Sequence, residues 1–431
     1  MNRLFTMSNR KTVLINAYVI SPYKGSEASV AWNHVRNLSQ EYNLIVLYGA
    51  SANYMGDNFD IPHWLQSNDL PNVRFEFIKP SIISRFLTWL NKNGLTYAHY
   101  PAFRLWQKKV FTRAKEIIKS ENIDLIHHLG PIGYREPGYL WKLQKPYIWG
   151  PTGGFNCAPK ALLSQLPLKG RLNQLFRSFT NILNMRYSRR VKRAMQNADI
   201  VIGATSECAD IIKNIYGVRA YFLPENCIDQ SVKLNHNKFK QDKFHLIFVG
   251  RLDANKAVQI QLDALSILKS REDWIFDIVG EGPLRPRLEE HAKKLQISDK
   301  VVFHGLLKRS EVVDLFDKSH LHLITSLSEG NPTTVWEAMS HGVPTITLDH
   351  CGMHDTISER NGIKIPITSI DEIVRSIAFE IESLLDNSLK LRSLSKTCVE
   401  ETKKYSLEQR KKTMVNYYEM AINNHYKSQQ E

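Results

Sequence analysis

Short runs of apolar residues recur along the chain, each followed by a stretch whose apolar positions fall at helical spacing. In the first half the runs are Thr12–Ala17, Leu44–Tyr48, Val73–Ile78, Leu125–His128, Tyr147–Gly150 and Ile200–Gly203. In the second they are Phe244–Gly250, Trp274–Val279, Val301–Phe303, Leu321–Ile324 and Thr345–Leu348. Strands that are apolar throughout, rather than at every other position, are buried on both faces, as in parallel sheets covered by helices. Two successive series of strand and helix predict an α/β protein of two Rossmann-like, doubly wound domains facing a cleft, the place where ligands bind.

The polar stretch 229–243 separates the two series. It marks residues 1–228 as the first domain, itself as linker, 244–405 as the second domain and 406–431 as a C-terminal helix. That helix spaces Leu407, Met414, Tyr417, Tyr418, Ala421 and Ile422 so that it could pack on either domain. A chain of 431 residues is too long for one core and suits two domains of roughly 200 residues each. No run approaches the length of a spanning helix, and the polar stretch Met1 to Lys11 with the short Val13–Ile20 run does not resemble a signal peptide. Both features predict a cytoplasmic location.

Charge changes the picture. Residues 1–228 carry 29 Lys and Arg against 14 Asp and Glu, whereas the remainder carries 28 against 29. Between Glu136 and Asp199 there are eleven basic residues and no acid, and between Glu76 and Glu116 eight and none. Such a surface attracts nucleic acid, acidic lipid or a phosphorylated acceptor. The five cysteines are far apart, without zinc-like pairing or the density of a disulfide scaffold. His350, Cys351 and His354 are too close together on a Gly-containing turn to chelate well, so no metal is expected.

Candidate chemistry concentrates at strand ends of the second half. The run ending at Val249 continues as Gly250-Arg251-Leu252-Asp253, with Lys256 before the next helix. Two cations thus stand at the carboxyl end of a strand, where open α/β sheets bind ligands, and suit a diphosphate whose charge grows as it departs. After Leu321–Ile324 comes a segment from Thr325 to Pro344 containing Glu329, Asn331, Pro332, Thr333, Thr334 and Glu337. Pro332 suits the first position of a helix of about ten residues and Gly342 its end. The free amides of Asn331, Thr333 and Thr334 would form an anion site. Glu329 and Glu337 would flank it, each able to accept hydrogen bonds from sugar hydroxyls.

These residues resemble the donor domain of glycosyltransferase family 4, retaining enzymes of GT-B architecture. The resemblance runs over residues 244–365 and includes Arg251, Lys256, the Glu329-x7-Glu337 spacing, Gly280-Glu281-Gly282-Pro283, Phe303-His304-Gly305 and Gly342-Val343-Pro344. It implies that Arg251 and Lys256 bind the diphosphate at Gly250, that Glu329 contacts the donor sugar and Glu337 the ribose, and that backbone at Gly305–Leu307 holds the base. In the first half, Ser21 to Glu27 resembles the family's glycine loop, with Lys24 where many relatives carry a second glycine before Gly25. Asp124 to His128 resembles the strand end whose histidine reaches the reaction centre. His127 and His128 must point opposite ways, and His128, nearer the carboxyl end, is taken as the catalytic one. Lys24, Glu27, Gly153 and Gly154 are placed on the acceptor side, although the two glycines could equally serve a tight connection.

The resemblance implies front-face transfer from a nucleotide sugar, UDP- or GDP-linked, to a glycan or lipid-linked hydroxyl acceptor of bacterial surface polysaccharide synthesis, without cofactor, metal or nucleic acid. A sugar-nucleotide 2-epimerase of the same architecture and a non-catalytic basic binding protein are the competing readings. Finally, Leu172, Leu175, Phe176, Phe179, Ile182 and Leu183 recur at helical spacing among Lys169, Arg171, Arg177, Arg186, Arg189, Arg190, Lys192 and Arg193. This pattern fits either a helix packed on the first sheet or one docked on an anionic membrane, and the acid-free composition favours docking at the inner face of the cytoplasmic membrane.

Overall fold

The computed structural model describes residues 10–25, 27–166, 168–228 and 234–427. They form two compact units, one drawn from the described residues of 10–155, 182–225 and 407–427, the other from those of 156–181 and 226–406.

The first unit holds seven parallel strands: β1 (Thr12–Asn16), β2 (Asn43–Tyr48), β3 (Val73–Phe77), β4 (Leu125–His128), β5 (Tyr147–Thr152), β6 (Ile200–Gly203) and β7 (Ala220–Phe222). Their order is β3-β2-β1-β4-β5-β6-β7. Progression along the sheet therefore reverses between β1 and β4, whose carboxyl ends pair Asn16 with His128. Alternation along each strand feeds two cores. Leu14, Leu47, Ile126 and Trp149 pack with Trp106 on one face, and Val13, Ile15, Val46 and Ile148 with Tyr418 on the other.

The helix Leu407–Lys427 belongs to this unit. Met414, Tyr418 and Ala421 are buried. The Tyr418 hydroxyl lies 2.8 Å from His127 Nδ1 and 3.1 Å from His34 Nε2, so its burial leaves no polar group wanting. That choice of domain was open in the sequence because helical spacing shows which face is apolar and not what covers it.

The second unit repeats the arrangement with β8 (Phe244–Val249), β9 (Trp274–Val279), β10 (Val301–Gly305), β11 (Leu321–Ile324), β12 (Thr345–Leu348) and β13 (Gly362–Ile365). The order is β10-β9-β8-β11-β12-β13, again all parallel. Its switch point lies between β8 and β11.

Two boundaries differ from the sequence expectation. Residues 156–181, assigned above to the first domain, pack with the second unit. Leu162, Leu163 and Leu166 join its core with Leu265 and Ile377. The expected linker 229–243 falls partly outside the described residues, but 234–243 is built into the second unit. There Lys238 is buried, its Nζ donating to the carbonyls of Gly342 (2.8 Å) and His341 (3.3 Å), and burial lowers its ammonium to about 8. A polar composition conceals such a segment, since one lysine stem can fill core space while its head is hydrogen-bonded.

Candidate active site

At the end of β8 the chain turns through Gly250 to Lys256, and its path is fixed by the segment Gly280–Gly282. The Gly250 amide donates to Val279 O (2.9 Å), and the Leu252 amide to Glu281 O (2.9 Å). A Cβ on Gly280 would run into the Gly250 carbonyl, and one on Gly282 into that of Leu252. The Gly-x-Gly spacing is therefore required by backbone packed on backbone. Its consequence is to hold the cationic loop at the switch point.

The two cations differ. Arg251 is 78% exposed, with Nε 3.3 Å from Asp253 Oδ2. Lys256 turns inward and pairs with Glu329 Oε1, both side chains being mostly buried. Asn255, which the sequence did not single out, donates from Nδ2 to Ser328 O (3.0 Å) and Glu329 Oε1 (3.4 Å), while its own carbonyl accepts from the Leu327 amide (2.7 Å). Asn255 thus staples the β8 loop to the β11 loop. A polar residue next to Lys256 was its one sequence signal.

Beyond β11, the helix runs Thr333–Ser340, shorter than the ten residues expected. Pro332 caps it in an extended conformation (ψ 126°) instead of occupying its first turn, because nothing forces a proline with fixed φ to adopt helical ψ. Gly342 follows the end with φ +62°, as its position demands. Asn331 is buried, its Oδ1 accepting from Trp336 Nε1 and its carbonyl from Asn226 Nδ2 (2.5 Å). Thr333 and Thr334 are half-buried at the helix start.

Glu337 lies one turn on. Burial pushes its carboxyl up, and Arg309 Nη1, 2.9 Å from Oε1, opposes that shift. Arg309, 82% exposed at the start of the helix Arg309–Lys318, was not legible as a site residue because it reaches Glu337 through space. Gly305 ends β10 with φ +69°. Leu307 is half-buried against Ile247, Val279 and Phe316.

In the first unit His127 and His128 do take opposite faces. His127 is 2.8 Å from the Tyr418 hydroxyl and 2.6 Å from Gly150 O. Asn16 Nδ2 approaches His128 Nδ1 (3.0 Å) and Gln107 Oε1 (3.1 Å). Burial lowers His127 to about 4 and His128 to about 3, so both rings are neutral. The expectation that His128 opens to a ligand meets a ring with no exposed surface. Trp149 lies edge-on to it and Gly138 closes over it. Among the described residues His128 Nε2, Asn16 Oδ1 and Gln107 Nε2 have no hydrogen-bond partner.

Glu27 begins the helix Glu27–Leu38 and accepts from the Ile132 amide (3.1 Å). It ties the loop after β1 to the loop after β4, across the switch point, and lines a small crevice there with Tyr18, Leu129, Gly130 and Pro131. Burial pushes its carboxyl up, against the Ile132 hydrogen bond. Lys24 is exposed and donates to Asn53 Oδ1 (3.1 Å). Gly25 has open space where a Cβ would stand, so packing does not demand glycine. The Gly153 amide donates to Ile132 O (2.8 Å) and its carbonyl accepts from Tyr134 N (3.1 Å). Gly154 has φ +82°. Gly153 thus spends its backbone groups on the Ile132–Tyr134 loop.

Residues 229–404 match the family model described as glycosyl transferases group 1. The chain is 20% identical over 317 residues to the phosphatidylinositol N-acetylglucosaminyltransferase gpi3 subunit of Schizosaccharomyces pombe, covering 71% of this chain and 64% of that protein. It spans 40% and 55% of the length of two further curated relatives. A solved lipopolysaccharide outer core galactosyltransferase superposes with a TM-score of 0.62 at 17% identity, over 97% of this chain and 99% of that one. The Anabaena protein HepE in complex with UDP-glucose gives 0.59 at 14% identity, over 94% and 98%. At these identities the solved structures establish the two-unit Rossmann-like fold.

Proposed function

We propose that this chain, whose second unit matches the group 1 glycosyl transferases, is a retaining glycosyltransferase that uses a nucleotide sugar and needs neither metal nor cofactor. The observation that carries the proposal is the Lys256–Glu329 pair at the switch point of the second unit, with Arg251 on the same loop. A donor diphosphate takes Lys256 and Arg251, and the amides at the start of Thr333–Ser340 add the helix-end attraction for anions. Glu329, released from the lysine, accepts hydrogen bonds from hydroxyls of the transferred sugar. Glu337 exchanges Arg309 for the ribose, beside backbone at Gly305–Leu307.

The acceptor hydroxyl then attacks the anomeric carbon from the face that the diphosphate leaves. The departing phosphate takes the acceptor proton, and Arg251 and Lys256 stabilise the charge it gains. Acceptor binding falls to the first unit, where Glu27 holds the β1 and β4 loops together. His128, neutral and enclosed, is assigned to shaping this region through Asn16 and Gln107.

A lipid-linked acceptor of a surface polysaccharide fits the acid-free basic stretches and the names of relatives that act on phosphatidylinositol and lipopolysaccharide. No described helix is long and apolar enough to cross a membrane. The exposed apolar row of Leu168–Tyr187 supports docking on the inner face of the cytoplasmic membrane. HepE is solved with UDP-glucose, which puts UDP-sugars first for testing and GDP-sugars second. Thermal-shift measurements with both series test the proposal. A true donor at about 100 times its dissociation constant adds roughly 2.7 kcal/mol, and no shift with any nucleotide sugar removes the donor site.

A further inference from the structure

The helix Ile82–Lys92, in the first unit, is well formed and faces outward. Ser81 caps it, its hydroxyl accepting from the Ser84 amide (3.1 Å), and Ser84 is its one buried residue. Its large apolar side chains are turned to solvent. Ile82 is 86% exposed, Ile83 62%, Phe86 56% and Trp89 57%. Spacing of three and four places them along one side of the helix, and the Phe86 and Trp89 rings stack with centroids 6.0 Å apart. Inward, Leu87 packs against the core and Thr88 touches Met55 Sδ (3.5 Å). The helix is therefore held by its inner side, and its bulkiest residues are left more than half exposed by the described residues. Soluble proteins seldom leave such a contiguous patch without use.

The charges around it choose the occupant. From Phe77 to Lys115 the chain has eight Lys and Arg and no acid. Lys79, Arg85 and Lys92 flank the apolar row, are exposed, and have no acidic partner among the described residues. A protein partner would bury these cations against matching carboxylates, whereas a phospholipid surface meets cations and apolar wedge together. Tryptophan beside phenylalanine suits the boundary between headgroups and acyl chains.

We propose that the helix Ile82–Lys92 is a membrane wedge, inserting Ile82, Ile83, Phe86 and Trp89 into the interfacial layer of an anionic bilayer while Lys79, Arg85 and Lys92 meet lipid phosphates. It adds a second contact to the membrane reading above and does not depend on glycosyl transfer. The same wedge would hold the enzyme beside an acceptor whose lipid tail stays in the membrane.

The test is flotation of the full chain with vesicles of phosphatidylglycerol and phosphatidylcholine, alongside the double variant Phe86→Ser, Trp89→Ser. Both side chains are exposed, so the variant keeps its melting temperature and any nucleotide-sugar thermal shift. Its vesicle affinity falls by roughly tenfold or more. Arg85→Glu with Lys92→Glu does the same at low salt, and brominated lipid quenches less tryptophan emission in Trp89→Phe than in the parent. Parent protein that does not float, or variants that float equally well, overturn the wedge. In the latter case docking through Leu168–Tyr187 still stands. Light scattering that shows lipid-free dimers abolished by Phe86→Ser, Trp89→Ser also overturns it, since the face would then be a self-association surface.

Discussion

Lys256 and Glu329, 73 residues apart in the chain, are ion-paired across the carboxyl ends of β8 and β11. Each is the other's ligand-free partner. A largely buried cation needs a carboxylate, and a largely buried carboxylate needs a cation. On the proposed function, a diphosphate and a sugar hydroxyl together would satisfy both groups again, so donor binding would exchange partners and strand neither charge.

This exchange separates two substitutions. Lys256→Ala lowers kcat by roughly a hundredfold, because its charge matters most as the leaving group departs. Glu337→Ala mainly raises the donor KM, because ribose contacts differ little between ground and transition states. Steady-state kinetics with the identified donor reads both, and equal effects on kcat and KM would contradict the assignments. Activity stays intact in excess EDTA. Loss that Mn²⁺ restores would replace the metal-free mechanism.

The glycines make a structural contrast. Gly280→Ala and Gly282→Ala each force a methyl into a backbone carbonyl of Gly250 or Leu252, and each should cost about 2 kcal/mol or more. Gly25→Ala meets open space and should change stability by no more than about 0.5 kcal/mol. Chemical denaturation compares all three. A loss of kcat/KM in Gly25→Ala without loss of stability would then report close approach of a ligand to that loop.

Much of this architecture could be read before folding. The buried strands are apolar throughout, so eleven of the strands stood out, and Glu329 and Glu337 were singled out from the predicted helix start beside them together with the family resemblance. β7 (Ala220–Phe222) and β13 (Gly362–Ile365) escaped because they are short edge strands with half-exposed positions. Arg309 and Asn255 escaped because their partners are distant in sequence. Leu162, Leu163 and Leu166 show a further limit, since a chain that leaves one unit for the other and returns carries no mark of that path in its composition.

Buried neutral histidines set the acid response. His127, His128 and His322 are lowered by burial to about 4, 3 and 3. The unfolded chain takes up protons below its ordinary histidine value of about 6.5, while these folded rings do not. Their contribution to stability is therefore complete above about pH 6.5 and is lost as pH falls toward 4 and 3. Each can contribute a slope of up to about 1.4 kcal/mol per pH unit. Unfolding free energies between pH 7 and pH 4 should show this decline, and His322→Leu should make it shallower. An unchanged slope in that variant would show that His322 takes up its proton over the same pH range folded as unfolded, and so is not held neutral by burial.

The helix Leu168–Tyr187 leaves Leu172, Leu175, Phe176, Phe179, Ile182 and Leu183 each at least 40% exposed. The alternative, that this apolar side packs on a sheet, is not what the side chains do. Exposed cations accompany it at Arg177, Arg186, Arg189, Lys192 and Arg193. Arg190 differs, because its Nη2 lies 2.5 Å from the buried Glu136, which also receives Arg104 Nη2 at 2.6 Å. Reversing Arg190 would set two carboxylates together in the interior and unfold the region, so it has no place in a docking test. We predict that the full chain cosediments with anionic vesicles, that salt weakens the association, and that Arg186→Glu, Arg189→Glu and Arg193→Glu together weaken it further. At roughly 1 kcal/mol for each cation near the surface, the triple change should cost a hundredfold or so in affinity. The melting temperature should hold, since all three side chains are solvent-facing. Absence of binding at low salt, or binding that the triple change leaves untouched, would defeat docking through this helix and leave the donor site as assigned.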